Sequence, residues 1–466
     1  SLGSIIAHMS RRRLVLLLSI LAIGVLAWQL PAILKSIPSR YVAAYLPESI
    51  QVLAERDHVE LLPTAAVETN TASLLNPARL STSAVTIVAT PSAIDAGNDN
   101  QDSNNSLAVG ELEQSKPDTL ESNPEPSSTP SPVATELPLI PSSSRLVPFK
   151  HQFQTWNNCG PATLAMGLSF FGLDLDQELT AAALKPNPED RNVSPGEMAT
   201  YVNNETDLSA INRVNGDVYT LKRFVANGYP VIIELGLDPP GEYRWMGWYG
   251  HYLLVVAYDD ASAQFWVYDS WFGTSEVPVE NADTDGRQVS YEDLDNYWRQ
   301  FNRSYTVLYH PEHEPDIEKI IGSDIDDNSM WLRALTMVRD ELDADPDNVF
   351  LWFNLGSIYN ELANYENSAA AFDQARAIGL PWRMLWYQFG PYEAYYHIGR
   401  YDDVILLADV TLLDRPYFEE SYYYKGLALD ALGRDEEART NLEQAVRFNP
   451  NFEPAALFFD QLERGS

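Results

Sequence analysis

Four regimes of hydrophobic and polar patterning follow one another along this chain. Leu14 to Leu34 is apolar apart from Ser19, Gly24, Gln29 and Pro31. Its 21 residues match the roughly 20 that a membrane-spanning helix needs. Residues 36–145 are different: Tyr41 to Leu53 has the spacing of a short amphipathic helix, but from 67 onward aromatics are few and Ser, Thr, Asn, Pro and Ala dominate. Such a stretch buries too little apolar surface to offset the entropy of ordering, so a disordered stalk is expected, stiffer over Pro124 to Pro141. A folded pattern begins near Leu146. Thr163 to Phe171 is an apolar helical run, and helical segments continue to about Phe224. Tyr229–Leu235, Gly250–Tyr258 and Gln264–Asp269 are β-branched or aromatic runs that predict strands. A helix over Tyr291–Phe301 and a strand over Tyr305–Tyr309 close this unit at about residue 310. Helices first and an antiparallel sheet afterwards is an α+β order. Residues 311–328 form an acidic linker, and 329–466 is helical throughout.

The helical region repeats. Gly356 and Gly426 lie 70 residues apart, about two periods of 34. The first copy carries Trp352, Leu355, Gly356, Tyr359, Tyr365, Phe372 and Ala375. The last carries Tyr422, Gly426, Leu429, Ala438, Leu442, Ala445 and Pro450. A degenerate middle copy, about Leu385 to Pro416, has Tyr392 where the others have glycine. This spacing resembles the tetratricopeptide repeat, in which a small residue at the helix crossing lets two helices pack closely. Met330 to Asp343 has the look of a leading half-repeat, and Phe452 to Arg464 that of a capping helix. The resemblance implies a concave face bearing Phe353, Trp386, Phe389, Tyr396 and Tyr423, with Phe350 and Glu393 beside them. Those aromatics are the candidate contacts for a protein partner, although core packing is their commonest use. The face lacks the Lys and Arg that grip a carboxylate, so C-terminal peptide tails are not expected ligands.

Charge narrows the function. The chain has 31 basic and 66 acidic residues, a formal net charge of −35. Such a surface repels nucleic acid and anionic lipid. Arg11-Arg12-Arg13 ahead of the apolar segment predicts a cytoplasmic N-terminus and an exported remainder. The expectation is a single-pass cell-membrane protein with its bulk extracytoplasmic. Val25-Leu26-Ala27 leaves open a cleaved signal and a secreted product. The first eight residues read as leftover leader ahead of Met9.

The chemistry centres on the only cysteine. Cys159 follows Gln154-Thr155-Trp156-Asn157-Asn158 and opens the apolar helical run. A lone thiol forms no internal disulfide and makes a poor metal site. At a helix N-terminus the dipole and unpaired N–H groups favour the thiolate, the reactive species. His251 is the only histidine embedded in a strand of this unit, and Asp269 ends the next strand. Adjacent antiparallel strands bring the two near each other, Asp269 orienting the imidazole in the manner of a triad. Gln154 is positioned to donate its amide to an oxyanion, with the Cys159 backbone N–H as second donor. Against this stands the plainer reading of a buried thiol, a structural histidine and a capping aspartate.

Three motifs now stand in order: Gln-x4-Cys-Gly-Pro-Ala, Gly-His-Tyr-Leu-Leu-Val-Val and Val-Tyr-Asp-Ser-Trp-Phe-Gly. Over about residues 147–309 they resemble papain-like peptidases related to the double-glycine leader peptidases. The resemblance implies a papain-like fold, Cys159 as nucleophile, His251 as base, Asp269 as orienting residue and Gln154 as oxyanion donor. The family's glutamine often stands six residues before the cysteine. Here that position is Phe153, so Gln152 is the reserve candidate. The fold class expected is thus an α+β papain-like cysteine peptidase domain followed by an all-α tetratricopeptide-repeat solenoid. Trp245, Trp248 and Tyr249, running into His251, are candidate substrate contacts, with packing against the sheet as the alternative. Asn281-x-Asp283-x-Asp285-Gly286-x5-Glu292 matches a calcium-loop spacing. The segment before it looks extended, so a polar turn leading into a helix is the expectation, with no resident metal and no cofactor. Two functions follow: a cysteine peptidase, with transpeptidation open to the same machinery, or an inactive papain-like domain serving with the repeats as an envelope scaffold.

Overall fold

A computed structural model describes residues 140–465 apart from 188, 191–192, 239–246 and 272–285, together with 29–30, 33–34, 61–65 and 74–75. The expected strand pattern is present and three strands, Ser143–Arg145, Ser209–Arg213 and Arg287–Ser290, are added to it. Strand β1 (Ser143–Arg145) leads into helix α1 (Cys159–Ser169), α2 (Gln177–Leu184) and α3 (Pro195–Glu205). Then come β2 (Ser209–Arg213), α4 (Val218–Ala226), β3 (Val231–Leu237), β4 (Tyr249–Asp259), β5 (Gln264–Asp269), β6 (Arg287–Ser290), α5 (Tyr291–Trp298) and β7 (Tyr305–Tyr309). The strands form one antiparallel sheet in the order β2-β7-β3-β4-β5-β6, with β1 also on β4. The short strands β2 and β6 were legible only by their partners: half-exposed, they pair with β7 and β5 respectively.

Each face of the sheet carries its own core. One face packs Ile232, Tyr252, Leu254 and Leu308 against Leu164, Met166 and Leu168 of α1. The other packs Ile233, Leu253, Val255 and Val307 against Leu221 and Phe224 of α4 and Trp298 of α5. Alternation along buried strands sends neighbouring residues into opposite cores.

The acidic segment 311–328 is not a bare linker. Helix α6 (Glu314–Ile321) sits within it and buries Ile317, Ile320 and Ile321 in the second core. Their i, i+3, i+4 spacing makes an apolar stripe beneath a charged face. The stalk expectation is also corrected in part. Leu62 and Leu74 are buried in the repeat core, Leu62 N–H donates to Leu380 O at 2.9 Å, and Tyr359 Oη donates to Leu74 O at 2.8 Å. Apolar leucines within that segment, with backbone groups for Arg376 and Tyr359 to meet, supply the reason. Among the described residues no helix is long and apolar enough to cross a membrane. The apolar segment 14–34 lies outside them apart from 29–30 and 33–34.

The repeat helices are α7 (Asp327–Ala344), α8 (Val349–Glu361), α9 (Tyr365–Ile378), α10 (Gly390–His397), α11 (Tyr401–Asp414), α12 (Glu419–Ala431), α13 (Asp435–Phe448) and α14 (Glu453–Gly465). The two crossing glycines are required where the spacing placed them. A Cβ on Gly356 would lie 2.6 Å from Phe372, and one on Gly426 2.8 Å from Leu442. In the middle copy, Tyr392 is buried instead, its hydroxyl between Thr411 and Ser421. Its α10 spans only 8 residues and opens on Gly390-Pro391.

Candidate active site

Helix α1 places the thiol. Asn157 has φ 57°, a left-handed turn that asparagine tolerates, immediately before the helix. The Asn158 side chain donates to Thr155 Oγ1 at 2.8 Å and makes no cap hydrogen bond to α1. It therefore leaves the first-turn amides to a ligand. Cys159 is half-buried at the first position of the helix.

Strand pairing places the histidine and the aspartate. Leu253 on β4 lies directly opposite Asp269 on β5. His251, two residues from Leu253, shares that face and sits diagonally from Asp269. The imidazole Nε2 is 2.9 Å from Asp269 Oδ1. Cys159 interacts with the same imidazole, and with Nε2 committed to Asp269 the nitrogen left to face it is Nδ1. Burial works against an imidazolium here. The Asp269 carboxylate and the Cys159 sulfur outweigh it and push the His251 pKa up to about 10. Burial also opposes ionisation of Asp269. The His251 and Arg287 charges and the Trp271 backbone N–H overcome it and hold that carboxyl far below its usual range.

Arg287 was not foreseen. From β6 its Nη2 donates to Asp269 Oδ2 at 2.8 Å, while Trp271 N–H donates to Oδ1 at 2.8 Å. The carboxylate is thus fixed in rotation as well as position. His151 was missed too: its Nε2 lies 2.8 Å from Asp269 O, and burial lowers its pKa, so it is the neutral donor. A lone arginine at a strand end and a histidine in an extended segment give no sequence signal without the pairing that brings them here.

Glu234 is a third. A carboxylate within the apolar run Val231–Leu237 was the visible anomaly. It faces Tyr252 across the β3–β4 ladder and is buried. Burial pushes its pKa up to about 8, against the Tyr252 hydrogen bond, and Cys159 adds in the same direction as burial. Tyr252 Oη donates to Val193 O at 2.7 Å.

The two glutamines separate cleanly. Ser270 Oγ donates to Gln154 Oε1 at 2.8 Å, and Gln154 N–H donates to Ser270 O at 2.8 Å. With the carbonyl end pinned, the Gln154 NH2 is the end presented elsewhere. Gln152 uses both ends structurally: its Nε2 donates to Leu175 O and its Oε1 accepts from Gln177 N–H. With Gln154 in the oxyanion role that the resemblance implies, Gln154→Ala is expected to lower kcat by roughly 10²–10³, the usual worth of one oxyanion donor. Gln152→Ala should lower stability instead. Steady-state kinetics beside thermal melts of both variants separates the two effects, and a larger kcat loss in Gln152→Ala would reverse the assignment.

The aromatic residues near His251 require correction. Trp248 is 6% exposed and stacks on Phe301 and on Phe350 of the repeats, its Nε1 donating to Gln300. Tyr249 lies under the Arg383 guanidinium, 4.1 Å from its ring centroid, and against Trp386. They are packed between sheet and repeats and do not line a substrate cleft. Trp245 lies outside the described residues, as do Asn281 to Asp285 of the calcium-like loop. Glu292 stands in the first turn of α5, whose N-cap is Ser290. The concave-face aromatics also change role. Phe353 and Trp386 are fully buried, Tyr423 packs on Phe452, and Phe389 and Tyr396 are half-buried against the cores. The docked sheet and the repeats' own core claim them.

Residues 146–306 match the model of the Peptidase_C39 like family. Residues 351–375 and 419–452 match the tetratricopeptide repeat, the outer two copies and not the degenerate one. A crystal structure described as a C39-like peptidase from Bacillus anthracis is similar at 18% identity, over 36% of this chain and 96% of that one, with a TM-score of 0.27. No curated protein matches the chain.

Proposed function

We propose, from the premise that this chain joins a C39-like peptidase domain to tetratricopeptide repeats, that it is a cysteine peptidase hydrolysing peptide bonds. The observation that carries the reading is the convergence of Cys159, His251 and Asp269, with Asp269 held by four separate contacts. The thiolate attacks the peptide carbonyl, and the developing oxyanion meets the Gln154 amide and the Cys159 backbone N–H. The His251 imidazolium gives its proton to the leaving amine, forming a thioester. Water, deprotonated by the now neutral His251, attacks the thioester and releases the acid and the thiol. The same steps with an amine in place of water would be transpeptidation.

The apolar segment 14–34 would hold the protein at a membrane with its bulk outside the cytoplasm. The arginines before it and the single cysteine support that placement. The repeats would engage a protein partner or substrate. The deciding experiment treats the full chain with a thiol-directed peptidase inhibitor and follows cleavage of a peptide library by mass spectrometry. One adduct at Cys159 and cleavage lost in Cys159→Ala support the peptidase. An unmodified thiol and no Cys159-dependent cleavage would leave the scaffold reading.

A further inference from the structure

The residues immediately before His251 do not belong to either core of the sheet. Trp248, together with Phe301, lies in the same apolar cluster as Leu351, Phe353, Phe372 and Trp386 of the repeats. The Trp248 indole is enclosed by Phe301 at 5.8 Å, Phe350 at 5.6 Å and Tyr387 at 5.9 Å. Its carbonyl accepts from Arg383 Nη1 at 3.2 Å. Arg383 is 5% exposed, and its guanidinium covers Tyr249. Gly250 comes next. A Cβ there would stand 3.0 Å from both Phe301 and Tyr387, so the strand and the Tyr387 ring are in closest approach one residue before His251. The two modules are also tied beside this point. Asn354 Nδ2 donates to Arg299 O at 2.5 Å, and Arg303 bridges Asp295 and Glu341. Sheet and repeats lie within one compact unit.

We infer that the repeats are part of the catalytic apparatus: Tyr387 and Arg383 are positioning residues that seat the start of β4 and so set the His251 imidazole against Cys159. The inference rests on the reading of Cys159 and His251 as the reacting pair and goes beyond recruitment of a partner. β4 is held by hydrogen bonds to β3 from Tyr249 onward. Those bonds fix its register. The packing of Tyr387 on Gly250 and of Arg383 on Trp248 O and the Tyr249 ring fixes how its first residues sit against the repeats. Misplacement of a reacting group by about 1 Å costs up to roughly 100-fold in rate.

The test uses the full chain and the pH profile of Cys159 alkylation by iodoacetamide, with circular dichroism as the check on folding. Tyr387→Ala is expected to slow alkylation near pH 6.5 by roughly 10–100-fold and to move the profile toward that of a free thiol. Tyr387→Phe, which keeps the ring against Gly250, should restore wild-type behaviour, whereas a change of general stability alone would leave the profile in place. If Tyr387→Ala does not fold, Arg383→Gln is read in its stead. Fast wild-type labelling that the folded variant leaves unchanged in rate and profile overturns this inference alone. Slow wild-type labelling, equal in His251→Ala, overturns the reading of the site and this inference with it.

Discussion

His251→Ala is expected to reduce kcat/KM for peptide cleavage by roughly 10⁴-fold or more, the scale on which removal of a base that acts as one unit with its nucleophile is felt. Two effects combine. In the proposed mechanism the imidazolium both favours the Cys159 thiolate and supplies the proton to the leaving amine. Alanine removes both at once. The loss should be greatest at low pH, where only a thiol stabilised by a neighbouring cation is ionised. It should narrow as pH rises past the free-thiol value near 8.5, where the thiolate forms unaided. Stopped-flow alkylation and peptide hydrolysis between pH 5 and 9 supply the measurement. A variant that keeps the wild-type slope at pH 6 would mean that Cys159 is activated by its helix alone.

The sequence carried this site further than it carried the surroundings. Cys159, His251 and Asp269 were legible because each sits at a position with few structural freedoms. One opens an apolar helix, and the others lie on strands whose alternation fixes facing. The strand over Gln264–Asp269 ends where its pattern ends, and that end is the aspartate. What surrounds them depends on pairings between distant segments. Arg287 reaches Asp269 only because β6 pairs with β5 across residues 272–285, and the residues of β6 have no distinctive pattern. Trp248 and Tyr249 read as cleft residues from their neighbourhood to His251, since nothing local says that α8 and the Trp382–Trp386 turn will cover them. The same docking explains the concave-face aromatics. Trp386 is fully buried with Tyr249 and Phe418 against it, leaving no open face for a ligand ring. Repeat periodicity gives helices and their crossings, which Gly356 and Gly426 bear out, but it does not give what the solenoid packs against.

Glu234 shows how a local anomaly can be seen and yet left unread. A lone acid among Val231, Ile232, Ile233 and Leu235 is costly unless it is neutral or paired. Here it is hydrogen-bonded to Tyr252 on the same face as α1, and its raised pKa keeps it protonated at neutral pH. A negative charge beside Cys159 is thereby avoided below about pH 8. The sheet that orients the histidine also keeps its own acid silent.

Asp269→Asn is expected to lower both activity and stability, and the stability loss should depend on pH in a defined direction. The wild-type carboxylate is fully buried, with His251 on one oxygen and Arg287 on the other. Removing one partner of such a buried charge arrangement costs roughly 3–5 kcal/mol. Acid–base function set by that carboxylate is worth roughly 10²–10⁴ in kcat. The signs follow from the shifts. Asp269 is held below its ordinary 3.8, so its contribution is complete above about pH 4 and fades as pH falls through the depressed value. His251 is raised from 6.5 to about 10, so its contribution is complete below 6.5 and is lost as pH rises through about 10. The difference in unfolding free energy between wild type and Asp269→Asn should therefore be greatest at about pH 4–6.5, shrink as pH rises from 6.5, and have lost the His251 share by about pH 10. Urea melts at pH 5, 7 and 10.5 measure it. A difference that stays constant across that range would show that Asp269 holds Arg287 and the Trp271 turn rather than a charged imidazole, and the ion pair between Cys159 and His251 would lose its anchor.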